Sequence, residues 1–320
     1  MNLQTSLKHN LLNYIKIARF DHWVKQLFII PGMVFAVFLI GMDEFSRSQL
    51  LVRIIFGFLS TCFIASANYV INEWLDAEFD KFHPIKKDRP VVSANLKTFY
   101  IILEYIILSI LGFGLAIMAS WLVFWMILGL WLMGIIYNVK PLRTKEIPYI
   151  DVLSESINNS IRLLIGWFII TSSFLPPSSI MIGYWMGGAF LMATKRFAEY
   201  RMIGDKEKAS LYRKSFKHYT EKSLLISAFF YAMLSVFFSG IFLIKYRIEL
   251  LLVIPFLCGL FCIYLNLSYR FDSSAQKPEK LFRETGLLLY VLFFILLSGL
   301  LIFIEIPVLQ KLLDKTFIGV

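Results

Sequence analysis

Four carboxylates fall within residues 73 to 80, in the stretch ANYVINEWLDAEFDKFHPIKKDRP, directly after a long run of mostly apolar residues. Nothing interrupts a helix here before the histidine-proline pair, so Asn72, Asp76 and Asp80 are predicted to lie one turn apart on one face, with Glu73 beside them. Stacked like charges repel one another, and a bound cation is the usual reason to keep them. Carboxylate and amide oxygens at this open spacing suit Mg²⁺ that also binds the phosphate oxygens of a substrate.

A solvated, salt-bridged helix end would account for the same residues, with Lys81, Lys86 and Arg89 as countercharges. Glu78 points away from the face in either interpretation. Two observations favour the metal site. Asn72 belongs to the column but needs no countercharge, and further polar clusters occur at the ends of other predicted helices.

A second polar cluster occupies residues 137 to 167, YNVKPLRTKEIPYIDVLSESINNSIRLLIGW. Tyr137 closes one predicted helix, and a short basic loop able to hold phosphate or diphosphate follows it. The basic residues of this loop are Lys140, Arg143 and Lys145. The next helix is predicted to carry a polar face made of Asp151, Glu155, Asn158, Asn159 and Arg162.

A third cluster spans residues 191 to 220. Lys195 and Arg196 are predicted to end a helix, with Glu199 one turn further on. For most residues beyond Arg201 we expect an ordinary solvated amphipathic loop, and a mobile charged lid over the site is the alternative.

The elements that carry these clusters are predicted to be membrane helices. Of the 320 residues, 58% are hydrophobic and 17% charged, which is far more apolar than a soluble domain requires. Apolar runs of about 17 to 25 residues each predict an all-α bundle of nine transmembrane helices around a central cavity that opens to the cytoplasmic side. The weakest boundary, at Ala116 to Ser120, leaves eight helices as an alternative. The predicted spans are 24–40, 51–71, 99–118, 120–138, 152–172, 178–194, 223–244, 249–268 and 285–304.

Lysine and arginine sort to alternate sides of this arrangement. Twenty-five fall on the side of the N-terminus, six on the opposite side and one, Arg162, inside a span. Because positive loops stay in the cytoplasm, the N-terminus and the polar clusters are predicted to be cytoplasmic and the C-terminus opposite. The net charge of +10 suits anionic lipid of the bilayer or a phosphorylated substrate. Nucleic acid is not an expected partner, because no fold that binds it is in view.

Arg162 is predicted to lie two to three turns inside the membrane. A charge at that depth is costly and normally faces the interior of the bundle. A structural pair with Glu155 and a role as an anion ligand at the floor of a cavity are both open.

The motifs resemble those of the UbiA superfamily of intramembrane prenyltransferases. NEWLDAEFD is similar to the superfamily's NDxxDxxxD stretch after the second helix, and YNVKPLRTK is similar to its tyrosine-to-lysine motif after the fourth. The segments ARFDHWVKQLFIIPGMVFA, DAEFDKFHPIKKDRPVVSA and ATKRFAEY are further similar to the branch that contains decaprenyl-phosphate phosphoribosyltransferase. The resemblance implies a single UbiA-like transmembrane domain over residues 1–320, with cytoplasmic substrate loops at about 73–98, 139–151 and 195–222.

Residue by residue, the resemblance implies a Mg²⁺ and diphosphate site at Asn72, Glu73, Asp76 and Asp80, with Glu73, Asp76, Asp80 and Tyr137 in catalysis. The implied substrate-binding residues are Asn72, Lys87, Arg89, Lys140, Lys145, Asn158, Arg162, Lys195 and Arg196. Two departures stand out: Glu73 replaces the usual aspartate, and Lys-Arg-x-x-Glu at 195–199 replaces the DxxxD motif of the aromatic prenyltransferases. One acidic and one basic cluster suit two phosphorylated substrates.

The branch implies Mg²⁺-dependent transfer of 5-phosphoribose from phosphoribosyl diphosphate to a polyprenyl phosphate, within cell envelope biosynthesis. A conventional prenyltransferase, moving a polyprenyl group from its diphosphate to an aromatic acceptor, is the nearest alternative. A membrane transporter is an alternative from another class, but coupling-ion sites lie near the membrane midplane, whereas these carboxylates gather at helix ends. A homo-oligomer is left open.

Overall fold

The computed structural model describes residues 12–42, 45–94, 96–270, 273–276, 281 and 283–312. In these ranges all regular secondary structure is helical. Four lysines of the charge count, Lys8, Lys277, Lys280 and Lys315, lie outside the described residues. The main helices are α1 (Ile30–Ile40), α2 (Arg47–Asp80), α3 (Thr98–Ala119), α4 (Trp121–Asn138), α5 (Ile150–Ile170), α6 (Ser178–Ile203), α7 (Glu221–Tyr246), α8 (Ile254–Ser268) and α9 (Thr285–Phe303).

Each predicted span overlaps one of these helices, and the first and eighth spans begin in the 3₁₀ segments Phe20–Ile29 and Ile248–Val253. Among the described residues, seven helices are long and apolar enough to cross a membrane: Leu12–Ile40, which ends with α1, then α2, α3, α4, α7, Ile248–Ser268, which ends with α8, and α9. The helices α5 and α6 are not in this group, because α5 contains Asp151, Glu155 and Arg162, and α6 contains Lys195 and Arg196. The count of nine membrane crossings therefore stays a prediction.

Helix α2 carries the acidic residues beyond its apolar part. It has 34 residues, or about 50 Å at 1.5 Å per residue, whereas the apolar core of a bilayer is about 30 Å thick. A capping box at Ser46 and Gln49 begins it. It ends at Asp80, where His83 Nδ1 accepts the backbone N–H groups of Ile85 and Lys86 at 3.1 and 3.2 Å.

The boundary between α3 and α4 is a single residue. Ser120 has the extended backbone angles φ −174° and ψ 162°, and its Oγ accepts the N–H of Val123 at 3.1 Å. Such a cap begins a new helix. The predicted break at the end of the third span is therefore present.

The contacts divide the chain into two compact units, Met1–Pro176 with Glu199–Ser223, and Pro177–Ala198 with Leu224–Val320. In the first unit α2 packs along α3, and α5 packs against α1 and α4. The core of these helices includes Ile64, Ile127 and Trp167. In the second unit Leu250, Val253 and Leu301 form a smaller buried cluster.

Helices α1 and α5 cross with their backbones in contact. A Cβ added to Gly32 would lie 1.9 Å from the carbonyl oxygen of Leu163, and one added to Gly166 would lie 1.9 Å from that of Ile29. Only glycine permits so close an approach at these two positions. This crossing holds the first helix against the helix that carries the second polar cluster.

The segments assigned to substrate loops are partly helical. Residues 73–80 are helical and belong to α2, and α6 continues through residues 195 and 196 to Ile203. The connection to α7 therefore begins at Gly204 and contains a short helix, Lys206–Tyr212, and a 3₁₀ turn, Lys214–Lys217. A helix persists past residue 195 because nothing in the sequence breaks it before Gly204, which has a φ of 67°.

Candidate active site

The polar residues of α2 share one face of the helix. A helix turns about 100° per residue, so Asn72, Asp76 and Asp80 follow one another at intervals of about 40°, and Glu73 lies within about 20° of Asp80 in projection. Asn72 Nδ2 donates to Asp76 Oδ2 at 3.0 Å. Glu78 is exposed, as predicted. Within this shared face, Asp76 and Asp80 pair with different cations.

Asp76 faces the loop between α4 and α5. Its Oδ1 accepts from Arg143 Nη2 at 3.1 Å and also contacts Lys145 Nζ. Asn138 Oδ1 joins this group, because it accepts from Lys145 Nζ at 2.8 Å and from Asn72 Nδ2 at 2.6 Å. Burial lowers the pKa of Lys145 to about 8, against the opposing effect of Asp76. Asp76 therefore holds two buried cations.

The loop that supplies these cations is strained and firmly attached. Arg143 has a φ of 29°, a region that residues other than glycine seldom adopt. Its guanidinium donates to the carbonyl oxygens of Asn138 and Leu75 at 3.0 and 3.3 Å and pairs with Glu146 at 2.6 Å. Lys140 is exposed and lines an open pocket of about 530 Å³ with Arg143 and Glu146.

Asp80 and Glu73 face Arg89. Arg89 Nη1 lies 2.6 Å from Asp80 Oδ2. Glu73 is 3% exposed, and the electrostatic influence of Arg89 and Arg19 reaches its carboxylate. Although burial opposes the charge of Arg89, Asp80 and Glu73 raise the pKa of this guanidinium. Glu73 Oε1 is buried and has no hydrogen-bond partner in the described part of the chain.

Lys86, and not its predicted neighbour Lys87, turns into the protein. Lys86 Nζ pairs with Glu199 Oε1 at 2.9 Å and contacts the hydroxyl of Tyr212, whereas Lys87 is exposed. The ring of His83 packs edge-on against Tyr212, with 4.6 Å between the ring centroids. The turn after α2 leaves Lys87 exposed, and its role as a substrate ligand stays a prediction.

The face of α5 meets Tyr137 and the connection that precedes α7. Tyr137 donates its hydroxyl proton to Glu155 Oε2 at 2.8 Å and accepts from Arg213 Nη1 at 3.3 Å. Asp151 is fully buried and accepts from the hydroxyls of Ser215 and Tyr219 at 3.1 and 2.7 Å.

The segment beyond Arg201 is exposed at most of its residues, but its aromatic side chains are buried. Tyr212, Phe216 and Tyr219 are buried, and the aromatic rings of this segment contact one another edge-on. The apolar residues of the segment pack into the first unit, while Lys214 and Lys217 remain exposed. The segment is amphipathic, as predicted, and its apolar side packs against the protein.

Arg162 and Asn158 lie further along α5. Arg162 Nε donates to Gln26 Oε1 at 2.8 Å, and Nη1 is 3.5 Å from Asn159 Oδ1. The contact with the fully buried Gln26 links α5 to the 3₁₀ segment Phe20–Ile29 and was not anticipated from the sequence. Asn158 Oδ1 is buried without a hydrogen-bond partner among the residues that the structure describes.

Lys195 and Arg196 belong to the second compact unit. Both lie within α6; Lys195 is half-buried and Arg196 is fully buried. They are therefore helical residues and not part of an exposed loop. Their role as substrate ligands stays a prediction.

The structure brings together seven of the predicted site residues in the first unit: Asn72, Glu73, Asp76, Asp80, Arg89, Tyr137 and Lys145. It also brings in Arg143, which was predicted as part of the basic loop, and adds residues that were not in the predicted site, namely Lys86, Asn138, Glu199 and Arg213. Asn138 lies inside the YNVK motif and was open to detection there. No spacing signal links Arg213 to α2, because the two are joined only by the fold.

The donor set fits a divalent cation that shares its coordination with a substrate. Among the described residues, no three His, Cys, Asp or Glu side chains are grouped closely enough to hold a metal alone. The free oxygen of the buried Glu73 carboxylate lies beside Asp80 on α2 and is a hard ligand of the kind that Mg²⁺ prefers. Magnesium commonly completes its coordination with water and substrate phosphates, so an open set of oxygens is sufficient.

Known proteins resemble the chain in sequence and in fold. A decaprenyl-phosphate phosphoribosyltransferase of Corynebacterium glutamicum is 25% identical over 220 residues, covering 64% of this chain and 59% of that protein. One of Mycolicibacterium smegmatis is 25% identical over 232 residues, covering 68% and 65%. The match thus spans less than two thirds of the length of either relative. The solved structure of a UbiA homolog from Archaeoglobus fulgidus bound to GPP and Mg²⁺ shares the fold, with a TM-score of 0.67 and 21% identity over 91% of this chain and 100% of that one.

The match to a family model covers most of the chain. The model of the UbiA prenyltransferase family matches residues 29–297. This match, together with the seven apolar helices, shows an integral membrane protein. The chain belongs to the UbiA prenyltransferase family.

Proposed function

We propose that this protein catalyses the Mg²⁺-dependent transfer of 5-phosphoribose from phosphoribosyl diphosphate to a polyprenyl phosphate, with release of diphosphate. The observation that carries the proposal is that two carboxylates of α2, Asp76 and Asp80, each pair with cations from the following loops. Asp76 pairs with Arg143 and Lys145, and Asp80 pairs with Arg89. A substrate phosphate can take over these cations while the carboxylates bind the metal, so charges stay balanced throughout.

The reaction requires little acid-base chemistry from the protein. The phosphate monoester of the acceptor is already ionised at pH 7, and one of its oxygens would attack the anomeric carbon of the ribose while the bond from that carbon to the diphosphate breaks. Bound Mg²⁺ would neutralise the charge that develops on the departing diphosphate. Asn72, Glu73, Asp76 and Asp80 would hold the metal. Arg89 and Lys145 would bind phosphate oxygens, and Tyr137 would orient them.

The relatives support the phosphoribosyl donor. Both are named decaprenyl-phosphate phosphoribosyltransferases and are 25% identical to this chain over the matched residues. Lys195 and Arg196 are proposed as further phosphate ligands. They replace the second acidic motif of the family's aromatic prenyltransferases, and a cation in that place can bind phosphate directly. The cytoplasmic orientation of the site, its central cavity and the nine-helix arrangement belong to the same proposal.

The deciding experiment compares donors in parallel. Purified protein in detergent is given Mg²⁺ and radiolabelled phosphoribosyl diphosphate with polyprenyl phosphate, and separately a prenyl diphosphate with aromatic acids. We expect a labelled lipid only in the first reaction, and none with chelator or with the Asp76→Asn variant. Labelled product only from the prenyl diphosphate would refute the phosphoribosyl donor.

Conventional prenyl transfer is the second candidate, and one observation favours it. The Archaeoglobus fulgidus homolog that shares the fold was solved with GPP and Mg²⁺. A site that binds a diphosphate through Mg²⁺ can accept either donor, because the metal contacts the diphosphate and not the group that is transferred. The second arm of the experiment tests this candidate directly.

A further inference from the structure

Arg213 is a largely buried cation whose guanidinium makes few hydrogen bonds to the protein. Its side chain is 13% exposed. Its hydrogen bond to the hydroxyl of Tyr137 is long, at 3.3 Å, and its Nη1 lies 3.8 Å from Asp151 Oδ2, beyond hydrogen-bonding distance. Its Nε is buried and has no hydrogen-bond partner in the described part of the chain. A guanidinium carries five N–H groups, so most of the donors of Arg213 are poorly used.

The position of Arg213 is nevertheless fixed. The rings of Tyr212 and Phe216 both lie 5.8 Å from its guanidinium carbon. Two residues further along the chain, Ser215 donates to the buried carboxylate of Asp151, and Tyr219 donates to the other oxygen of the same carboxylate. Asp151 lies in the first turn of α5. We name Asp151, Ser215 and Tyr219 the latch, because they attach the segment that carries Arg213 to α5.

The surroundings of Arg213 identify the kind of ligand that it can bind. Arg213 is close enough to Asp76 and Lys145 to act on both electrostatically. Tyr137 lies between the two cations: Arg213 donates to its hydroxyl, and Lys145 Nζ lies 5.8 Å from the centre of its ring. The carboxylates of Glu199 and Asp151 compensate part of the charge of Arg213, but neither accepts a hydrogen bond from its guanidinium in the described part of the chain. Its N–H groups can therefore serve a further anion. A guanidinium binds phosphate through two parallel N–H groups, which neutral ligands cannot match.

We propose that Arg213 is a ligand of the substrate's diphosphate group and that the latch is the set of positioning residues that holds it in place. The proposal rests on the proposed function only in requiring a diphosphate substrate. It does not depend on whether phosphoribose or a prenyl group is transferred. The adjacent Lys214 differs from Arg213, because it pairs with Glu146 at 2.8 Å and is half exposed. The structure therefore distinguishes two neighbouring basic residues that look alike in the sequence.

Binding of inorganic diphosphate with Mg²⁺ to the purified full-length protein tests the role of Arg213 without turnover. Loss of one charge-assisted contact to phosphate predicts that Arg213→Ala weakens diphosphate binding about tenfold or more. Arg213→Lys should recover only part of the loss, because an ammonium cannot make the two-pronged contact. Lys217→Ala, which removes the same charge from an exposed position of the same segment, should bind as the wild type does. Equal affinity of Arg213→Ala and wild type would overturn the proposal.

The latch is tested by coupling. Tyr219→Phe removes the hydrogen bond to Asp151 and the one that the same hydroxyl accepts from the backbone N–H of Tyr149, but no charge. We expect it to weaken diphosphate binding in the wild type but not in the Arg213→Ala background. A residue that matters only for overall stability would weaken both equally, and that result would remove the latch from the proposal. Ser215→Ala serves as the second variant if Tyr219→Phe does not fold. Wild type that binds diphosphate through Arg213 but does not turn over phosphoribosyl diphosphate would refute the proposed function and leave this inference intact.

Discussion

At the scale of single residues, the carboxylates of α2 have two roles that compete. Asp76 neutralises the buried Lys145 and Arg143 when no substrate phosphate is present, and the proposed chemistry requires the same carboxylate for a metal. Like-charge repulsion within the cluster alone would make removal of a charge harmless to folding. The ion pairs predict the opposite, because a buried cation that loses its partner is left uncompensated.

Asp76→Asn is therefore expected to abolish turnover and to destabilise the protein, by an amount on the order of the 3–5 kcal/mol that breaking a buried ion pair costs. Asp80→Asn should do the same through Arg89. Glu78→Gln is the matched control, because Glu78 is on the same helix end but exposed. Activity and the thermal midpoint in detergent are measured together. Equal losses for Glu78→Gln and Asp76→Asn would show that the α2 carboxylates act through general charge and not through their pairs.

His83 predicts a pH dependence of stability. Burial, followed by the charge of Lys86, lowers the pKa of His83 from 6.5 to about 3, and its Nδ1 is already an acceptor for two backbone N–H groups. Between these pH values the unfolded chain binds a proton that the folded chain does not. The stability contributed by neutral His83 is thus fully present above pH 6.5 and is lost as the pH falls toward 3, by about 1.4 kcal/mol per pH unit.

His83→Asn keeps an acceptor near the Nδ1 position but does not titrate. We expect the thermal midpoint of the wild type to fall between pH 7 and pH 5 and that of His83→Asn to fall less. The exposed His218 supplies the control variant, His218→Asn, which should follow the wild type. Parallel curves for all three proteins would contradict the assignment of a neutral, hydrogen-bonded His83.

At the scale of elements, the crossing of α1 and α5 holds in place the helix that carries the second polar cluster. A Cβ added to Gly32 or to Gly166 would lie 1.9 Å from a carbonyl oxygen of the opposing backbone. Gly166→Ala must therefore separate the two helices. We expect a loss of stability of at least the 1–3 kcal/mol typical of overpacking, measured as a lower thermal midpoint. Gly114→Ala and Gly129→Ala are matched controls, since an added Cβ at either helical position meets nothing within 4 Å. A similar loss in all three variants would mean that the effect is not specific to the crossing.

Local patterns predicted the elements well and their long-range partners poorly. The extent of α2 and the break at Ser120 follow from interactions within a few residues, such as the cap at Ser120 and the turn at His83, and such interactions can be read along the chain. Whether Lys86 or Lys87 points inward depends on the path of the chain after Asp80. The burial of Tyr219 depends on Asp151, 68 residues away, and no periodicity in the segment indicates that partner.

At the scale of the whole molecule, the charge asymmetry connects the topology to the substrate supply. Lys and Arg divide 25 to six between the two predicted sides, and the described site contains many of the majority group, including Lys86, Arg89, Arg143, Lys145 and Arg213. The topology predicted from this asymmetry places the site in the cytoplasm. A cytoplasmic site would draw its phosphorylated donor from the cytoplasmic pool and its lipid acceptor from the adjoining leaflet.

Single cysteines in a background without Cys62, Cys258 and Cys262 test this orientation. Lys206 and Ser178 are both exposed in the structure, so a difference in labelling between Lys206→Cys and Ser178→Cys reports the side of the membrane and not burial. In intact cells a membrane-impermeant maleimide should label the cysteine at position 178 and not the one at 206, and permeabilisation should allow both to react. Because the positive-inside rule acts on short loops near the spans, the nine basic residues from Lys195 to Lys222 should dominate the outcome. Labelling of position 206 from outside would reverse the orientation, place the acidic face of α2 outside the cytoplasm and remove its access to a cytoplasmic donor.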